Sequence, residues 1–456
     1  MRRHSRPWRL LRVYLFRTQK LTRRQLGTLQ DWKMRLVFWT GALLVGVLVV
    51  GFAKAAEWSS LQFTQLQQHW PQAPLLVTPL GMVAIVWLMR TVAPSSQGSG
   101  IPQVLIILKQ RYHWLRPVFL GVRVTIAKLV LTCLGLMVGA SIGREGPSVH
   151  IGAAVMHNMG RLGRLKQKAV DNALIVGGGA AGVSAAFNAP LAGIIFAVEE
   201  LAQSLEQRNS GTLILSIFLS GVVVLVLSGH YSFFGTPKAD LILTHSWSTV
   251  LITGVVCGVL GGIFSRLLIF GTRKLAPHLR ATPLKVALLC GLLLALLGYC
   301  SDGATFGTGY EQASALLSQE HAGDWVFPLT KMAATLTSYF SGIPGGLFSP
   351  SLAAGAGVGA ALAQSFDQAA AVGLTMVGMA AFLSAVIQRP LVSFVIVMEL
   401  TGNRHDMLLA LMMGSLVAFI FSRLVTPEPV YECLAKNLME DREHAEGKPP
   451  AEQARP

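Results

Sequence analysis

AKLVLTCLGLMVGASIGREGPSVHIG (127–152) lies without a gap over TKMAATLTSYFSGIPGGLFSPSLAAG (330–355), placing Lys128 on Lys331, Gly143 on Gly346, Pro147 on Pro350, Ser148 on Ser351 and Gly152 on Gly355. Two further pairs keep the same order. GSGIPQ (98–103) recurs as GTGYEQ (307–312), and the spacing from Pro190-Leu191 to Glu199 recurs from Pro390-Leu391 to Glu399. Chance supplies one such match, hardly three in register. The chain therefore consists of two related halves of about 200 residues, and since no polar linker separates them they read as one fused domain. An odd number of spans per half would make the repeat inverted.

The surroundings of the repeat are lipid-like. Of 456 residues, 52% are hydrophobic and 13% charged, about half the roughly 25% charge of soluble domains, and the mean hydropathy is +0.53. Charge gathers at the ends, with 12 charged side chains in residues 1–35, 11 in 428–456 and only 37 between. An ordinary cytosolic enzyme is excluded. Residues 1–35 hold 11 Lys/Arg against one acid, Asp31. That bias places the segment on the cytoplasmic side of the first span, and Trp8, Leu11, Tyr14 and Phe16 among the arginines suit an interfacial helix on anionic lipid better than a nucleic-acid site. It lacks the apolar core of a signal peptide. The five cysteines have no metal or redox spacing and read as reduced packing residues.

Apolar runs near 36–56, 75–90, 121–140, 211–229, 248–271, 284–299, 372–399 and 406–424 approach or exceed the roughly 20 residues of a spanning helix. Shorter pieces near 98–110, 143–160, 173–201 and 342–364 are interrupted by Gly and Pro. Non-helical backbone survives at membrane depth only where protein buries it or it lines a watery cavity, so a site is expected at these interruptions. GSGIPQ, GREGPS and GGLFSPS each read as a turn and a helix start, with Pro102, Pro147 and Pro350 suited to the first helical position. Such starts present unpaired N–H groups and a positive dipole end to an anion. Taken singly, each break could be a kink between packed spans, as the GxxxG series Gly254, Gly258, Gly262 suggests; three breaks, two of them repeat-related, favour a site.

GSGIPQ (98–103), GREGPSVHIG (143–152), AAFNAPLAGIIFAVEE (185–200), GGLFSPSLAAG (345–355) and the tyrosine of PVYECLAKNL (429–438) resemble, in order, the signature segments of the CLC family of chloride channels and chloride/proton antiporters. The likeness spans roughly residues 35–440. It implies an all-α polytopic membrane fold of two inverted-repeat halves of mostly tilted and interrupted helices, in a homodimer whose subunits each carry an anion pathway. Position by position, it makes Ser99 and Tyr431 the hydroxyl ligands of a central anion, completed by the amides of Leu347 and Phe348, with Gly146 at the outer end and Gly98 at the inner. Glu145 becomes the gate, its carboxylate taking the place of an anion on the same amides, and Glu200 the inner proton-transfer site. Serine at 99 fits chloride. Gln103 stands where many relatives carry an acid. Lys128 and Lys331 contribute positive field or pair internally, or else snorkel to an interface.

The resemblance thus implies a chloride/proton antiporter without metal or cofactor, not an enzyme, partnered by chloride, protons, lipid and a second copy, with no nucleic acid. A bacterial inner membrane with both termini cytoplasmic is expected. The organisation is a basic segment 1–35, a membrane domain 36–440 (halves about 36–230 and 248–440) and a polar tail 441–456, too short for paired CBS nucleotide-sensing domains. Two alternatives stay open: a passive voltage- or pH-gated chloride channel on the same fold, and, more distantly, a membrane-embedded redox enzyme, since GGGAAG (177–182) satisfies the dinucleotide pattern GxGxxG. The almost wholly apolar VSAAFNAPLAGIIFAV that follows lacks the polar helix face of a soluble βαβ unit.

Overall fold

The computed structural model describes residues 29–445 apart from 166, 202–209, 230–232, 238–242, 367–369 and 404; the interfacial helix expected in residues 1–28 and the end of the polar tail lie outside the described residues. The described chain is all-helical. The first half runs α1 (Leu29–His69), α2 (Pro74–Val92), α3 (Ile101–Leu108), α4 (Val122–Met137), α5 (Glu145–Leu162), α6 (Lys168–Phe187), α7 (Pro190–Phe196, continued as a π turn Ala197–Leu201) and α8 (Ser210–Ser228). The second half repeats this order as α9 (Leu243–Ala281), α10 (Pro283–Cys300), α11 (Tyr310–Leu317), α12 (Val326–Phe340), α13 (Phe348–Phe366), α14 (Ala371–Ile387), α15 (Pro390–Leu400) and α16 (Leu408–Val425), and α17 (Val430–Ala445) follows without a counterpart. Among the described residues, six helices are long and apolar enough to cross a membrane, a seventh if Tyr112–Phe119 and Val122–Met137, bent by 58°, form one span. Leu43, Leu44, Val47 and Leu48 of α1 and Leu289, Leu292, Leu293 and Leu296 of α10 are exposed, as lipid-facing side chains would be. This is an integral membrane protein.

Packing repeats with the sequence. α5 lies on α6 as α13 lies on α14, and α1 meets α8 as α9 meets α16. Across the halves, α2 packs on its counterpart α10, α7 on α15 and α5 on α13. Contacts between an element and its own repeat partner are what a two-fold relation produces. Two sets of hydrogen bonds have the same reciprocity. Gly143 and Gly346, equivalent in the repeat, pair antiparallel, N–H to O, at 2.8 and 2.7 Å. The Glu199 carboxylate accepts the Leu391 and Val392 amides of α15 at 3.2 and 2.7 Å, while Glu399 accepts the Leu191 and Ala192 amides of α7 at 3.1 and 2.7 Å.

Glycine sets the closest approaches. A Cβ on Gly178 would lie 2.2 Å from the Gly152 carbonyl oxygen, and one on Gly152 2.1 Å from that of Gly178; Gly355 and Gly378 repeat the arrangement between α13 and α14. The GGGAAG segment therefore lies in the interior of a continuous helix, where it brings α5 and α6 into backbone contact; among the described residues no strand precedes it, and the dinucleotide reading falls. Gly254, Gly258 and Gly262 seat α9 against Val417, Ala418 and Val425 as expected of GxxxG packing.

Several boundaries differ from the expectation. α1 has 41 residues and α9 has 39, so each is about 60 Å long, twice the hydrocarbon thickness, and each carries polar turns beyond its apolar core. The run 372–399 is two helices, broken where Gln388 adopts φ +55° ahead of Pro390. Conversely, α5, α6 and α13 are unbroken helices of 18, 20 and 19 residues; their interruptions precede or follow them. Pro102 is the second residue of its helix, and Pro147 and Pro350 the third, still within the turn whose N–H groups lack intrahelical partners.

Lys128 and Lys331 are fully buried and do not snorkel. Lys128 Nζ donates to the Gly98 carbonyl at 3.0 Å, and Lys331 Nζ to those of Thr305, Phe306 and Gly307 at 3.0, 3.3 and 2.9 Å. Equivalent lysines thus pin the loops that precede α3 and α11. Lys331→Met orphans three buried carbonyls and Lys128→Met one. With about 1–3 kcal/mol for each lost partner, Lys331→Met should lower the thermal unfolding midpoint in detergent clearly more than Lys128→Met; equal midpoints would refute this role.

Candidate functional site

The three Gly-Pro segments meet. Gly98 bridges to Pro344, with the Gly345 amide on the Gly98 carbonyl at 3.4 Å, and the Gly143–Gly346 pair joins the loops ahead of α5 and α13. Gly98 and Gly100 have φ of +69° and +103°, left-handed values that glycine adopts without a Cβ penalty. The starts of α3, α5 and α13 consequently point into one junction between the halves.

Ser99 leads into α3 and is fully buried, and Tyr431, in the first turn of α17, is buried beside it where α17 packs on α3. Neither hydroxyl has a hydrogen-bond partner among the described residues. An unsatisfied hydroxyl in a protein interior costs about 1–3 kcal/mol, so two together are a marked departure from ordinary packing. Gly146 presses on Ser99 so closely that a Cβ there would lie 2.2 Å from Ser99 Oγ. Phe348 stacks on Tyr431 with ring centres 6.2 Å apart and planes 17° apart, and Phe187 and Phe196 flank it at 6.2 Å. The amides of Leu347 and Phe348 open α13, before the first intrahelical donor of that turn, Ser351, whose N–H reaches the Leu347 carbonyl at 3.0 Å. The structure thus brings Ser99, Tyr431, Leu347, Phe348, Gly146 and Gly98 to one place.

Glu145 opens α5 and is 1% exposed. Its carboxylate rests on the start of α13, accepting the Ser349 hydroxyl at 2.5 Å and the Ser349 amide at 3.4 Å. Ser349 was not singled out in the sequence, although it is the repeat equivalent of Gly146. Arg144 does not pair with Glu145: it donates to the Ala53 carbonyl at 2.8 Å and lies 5.6 Å over the Phe233 ring. Gln103 donates to the Gln97 carbonyl at 2.6 Å beside the Gly98 loop.

Glu200 lies in the π turn after α7, its side chain 1% exposed. Its Oε2 accepts Arg389 Nε at 2.8 Å, and Arg389 Nη2 reaches Glu432 Oε1 at 2.9 Å. Sequence reasoning found neither Arg389 nor Glu432; only the position of Glu432 next to Tyr431 hinted at it. Tyr431 is within electrostatic reach of both Glu145 and Glu200. Among the described residues no group of His, Cys, Asp and Glu could hold a metal ion.

A family model described as voltage gated chloride channel matches residues 80–423. The H(+)/Cl(-) exchange transporter ClcA of Salmonella typhimurium is 30% identical over 439 residues, covering 88% of each chain, and that of Salmonella arizonae is 30% identical over 438. Among solved structures, a slow cyanobacterial Cl-/H+ antiporter superposes with a TM-score of 0.77 at 25% identity over 90% of this chain and 98% of that one. A CLC-type fluoride/proton antiporter superposes at 0.75 with 23% identity over 89% and 99%, a likeness of fold.

Proposed function

This chain belongs to the voltage gated chloride channel family, a membrane transport protein and not an enzyme, and from that premise we propose that it exchanges chloride for protons through the junction of α3, α5 and α13. The observation that carries the reading is the pair of buried, unpartnered hydroxyls, Ser99 and Tyr431, with the buried carboxylates of Glu145 and Glu200 within electrostatic reach of Tyr431. Chloride accepts hydrogen bonds from Ser99, Tyr431 and the amides at the start of α13. Partial charges of that kind replace hydration yet hold the ion weakly enough to release it. Gly146 lines the outer side and Gly98 the inner.

Glu145, in its ionised form, competes for the donors of α13 and closes the outer side. A proton on it removes the charge that those donors attract, and the side chain gives way to an anion. Glu200 passes protons between the inner solution and Glu145. The relatives named as proton/chloride exchangers, and the presence of two carboxylates where a passive pore needs one, favour exchange over a channel. The resemblance further implies a homodimer of inverted halves in a bacterial inner membrane with both termini in the cytoplasm, and the basic residues 1–35 favour that side for the N-terminal segment.

Purified protein in liposomes under a chloride gradient should drive protons uphill; chloride flux without proton movement would establish a channel instead. The binding site has its own test. Ser99→Ala with Tyr431→Phe, which keeps the ring on Phe348, removes two hydroxyl donors to an anion and should weaken chloride binding in calorimetry by about tenfold per hydroxyl. Unchanged affinity would take both residues out of the site.

A further inference from the structure

The last turn of α6 and that of α14 end alike. Asn188 (φ 53°, ψ 41°) and Ala189 (φ −130°, ψ 80°) precede Pro190 in the first half, and Gln388 (φ 55°, ψ 39°) and Arg389 (φ −129°, ψ 83°) precede Pro390 in the second. The same backbone thus accepts alanine or arginine, and the fold does not require the guanidinium. What it does is bridge two acids of unequal exposure: Glu200, its side chain 1% exposed, and Glu432, its side chain 33% exposed. Arg389 itself is 18% exposed. Only Oε2 of Glu200 is held, and Oε1 is buried without a partner. Glu199, next in sequence, fixes the Leu391 and Val392 amides and so holds the turn that carries Arg389.

We propose that Arg389 is the positioning residue of the inner proton step, holding Glu200 by Oε2 so that Oε1 takes the proton from the inner solution, with Glu432 sharing the guanidinium and setting how firmly Glu200 is held. The inference rests on the reading of Glu200 as the inner proton acceptor. A hydronium ion reaching Oε1 gives up its proton and leaves as water; neutral Glu200 loosens from Arg389, which stays paired with Glu432 and is never itself a proton donor. Among the described residues, the charged and titratable groups that face Glu200 are Arg389, Glu432, Glu199 and Tyr431. Arg389 is the cation among them, so its charge opposes protonation, and the carboxylate of Glu432 offsets part of that opposition.

Proton uptake into liposomes, followed as a function of pH, distinguishes this from a structural role. Arg389→Ala, which installs the residue that the first half carries at the equivalent turn, should extend proton uptake to higher pH. The half-maximal point should rise by about one unit, tenfold in proton concentration, as expected on removing an opposite charge at this range. Arg389→Lys should restore most of the wild-type profile. Glu432→Gln should move the half-maximal point the other way, to lower pH. Profiles that stay in place, or fall equally at every pH, would overturn the proposal while leaving Glu200 in its role. Glu200→Gln, assayed beside them, separates the two failures: continued proton uptake in that variant would remove Glu200 itself.

Discussion

Glu145→Gln is expected to abolish proton movement and leave a chloride flux that no longer responds to pH. The ionised carboxylate accepts both the amide and the hydroxyl of Ser349. A carboxamide carries no charge, so it neither competes with chloride for the start of α13 nor takes up a proton. Proton flux should drop to the level of empty liposomes. A Glu145→Gln protein that still pumped protons uphill would end the gate assignment. Ser349→Ala is informative beside it, because it weakens the closed position of Glu145 without touching the carboxylate and should raise chloride flux at alkaline pH.

The other large effect is on folding. Gly178→Ala should destabilise the protein by about 3 kcal/mol or more, since its methyl would lie 2.2 Å from the Gly152 carbonyl oxygen and the obstruction is backbone that no rotamer change relieves. Gly177→Ala, one residue earlier, meets the Leu213, Phe38 and Met156 side chains at 3.6, 3.7 and 3.9 Å, all ordinary contacts, and should be neutral or stabilising by up to about 1 kcal/mol through helix propensity. Thermal unfolding in detergent compares them directly. Similar midpoints would mean that α5 and α6 are not held in backbone contact.

The places where the chain turns were readable because Gly and Pro act locally. GSGIPQ, GREGPS and GGLFSPS marked the helix starts, and a gapless repeat showed that two of them had to be equivalent. Helix ends were less readable. α1 and α9 run past their apolar cores into polar turns, which hydropathy scores as loop although the helix continues. The break at Gln388 was averaged away because Gln388, Arg389 and Pro390 are a three-residue interruption between long apolar stretches on either side. Pairings across the repeat were beyond sequence reasoning: Ser349 on Glu145 and Arg389 on Glu200 join residues 204 and 189 positions apart, and nothing local to either partner announces the other. Arg389 occupies an alanine position of the repeat, and that mismatch was the one available signal.

An interface in which each element meets its own counterpart is isologous, as between two copies of one subunit. In the inverted arrangement proposed for the two halves, such symmetry carried through without deviation would make the two faces of the membrane chemically interchangeable, and a pathway along it would have no preferred sense. The deviations lie at the site. Glu145 stands opposite Phe348, Gly146 opposite Ser349, Glu200 opposite Leu400 and Ala189 opposite Arg389, and Tyr431 comes from a helix outside the repeat. Vectorial character in this protein therefore resides in a handful of side chains on an otherwise reversible scaffold, and exchanging residues between equivalent positions is a route to altering which side supplies the proton.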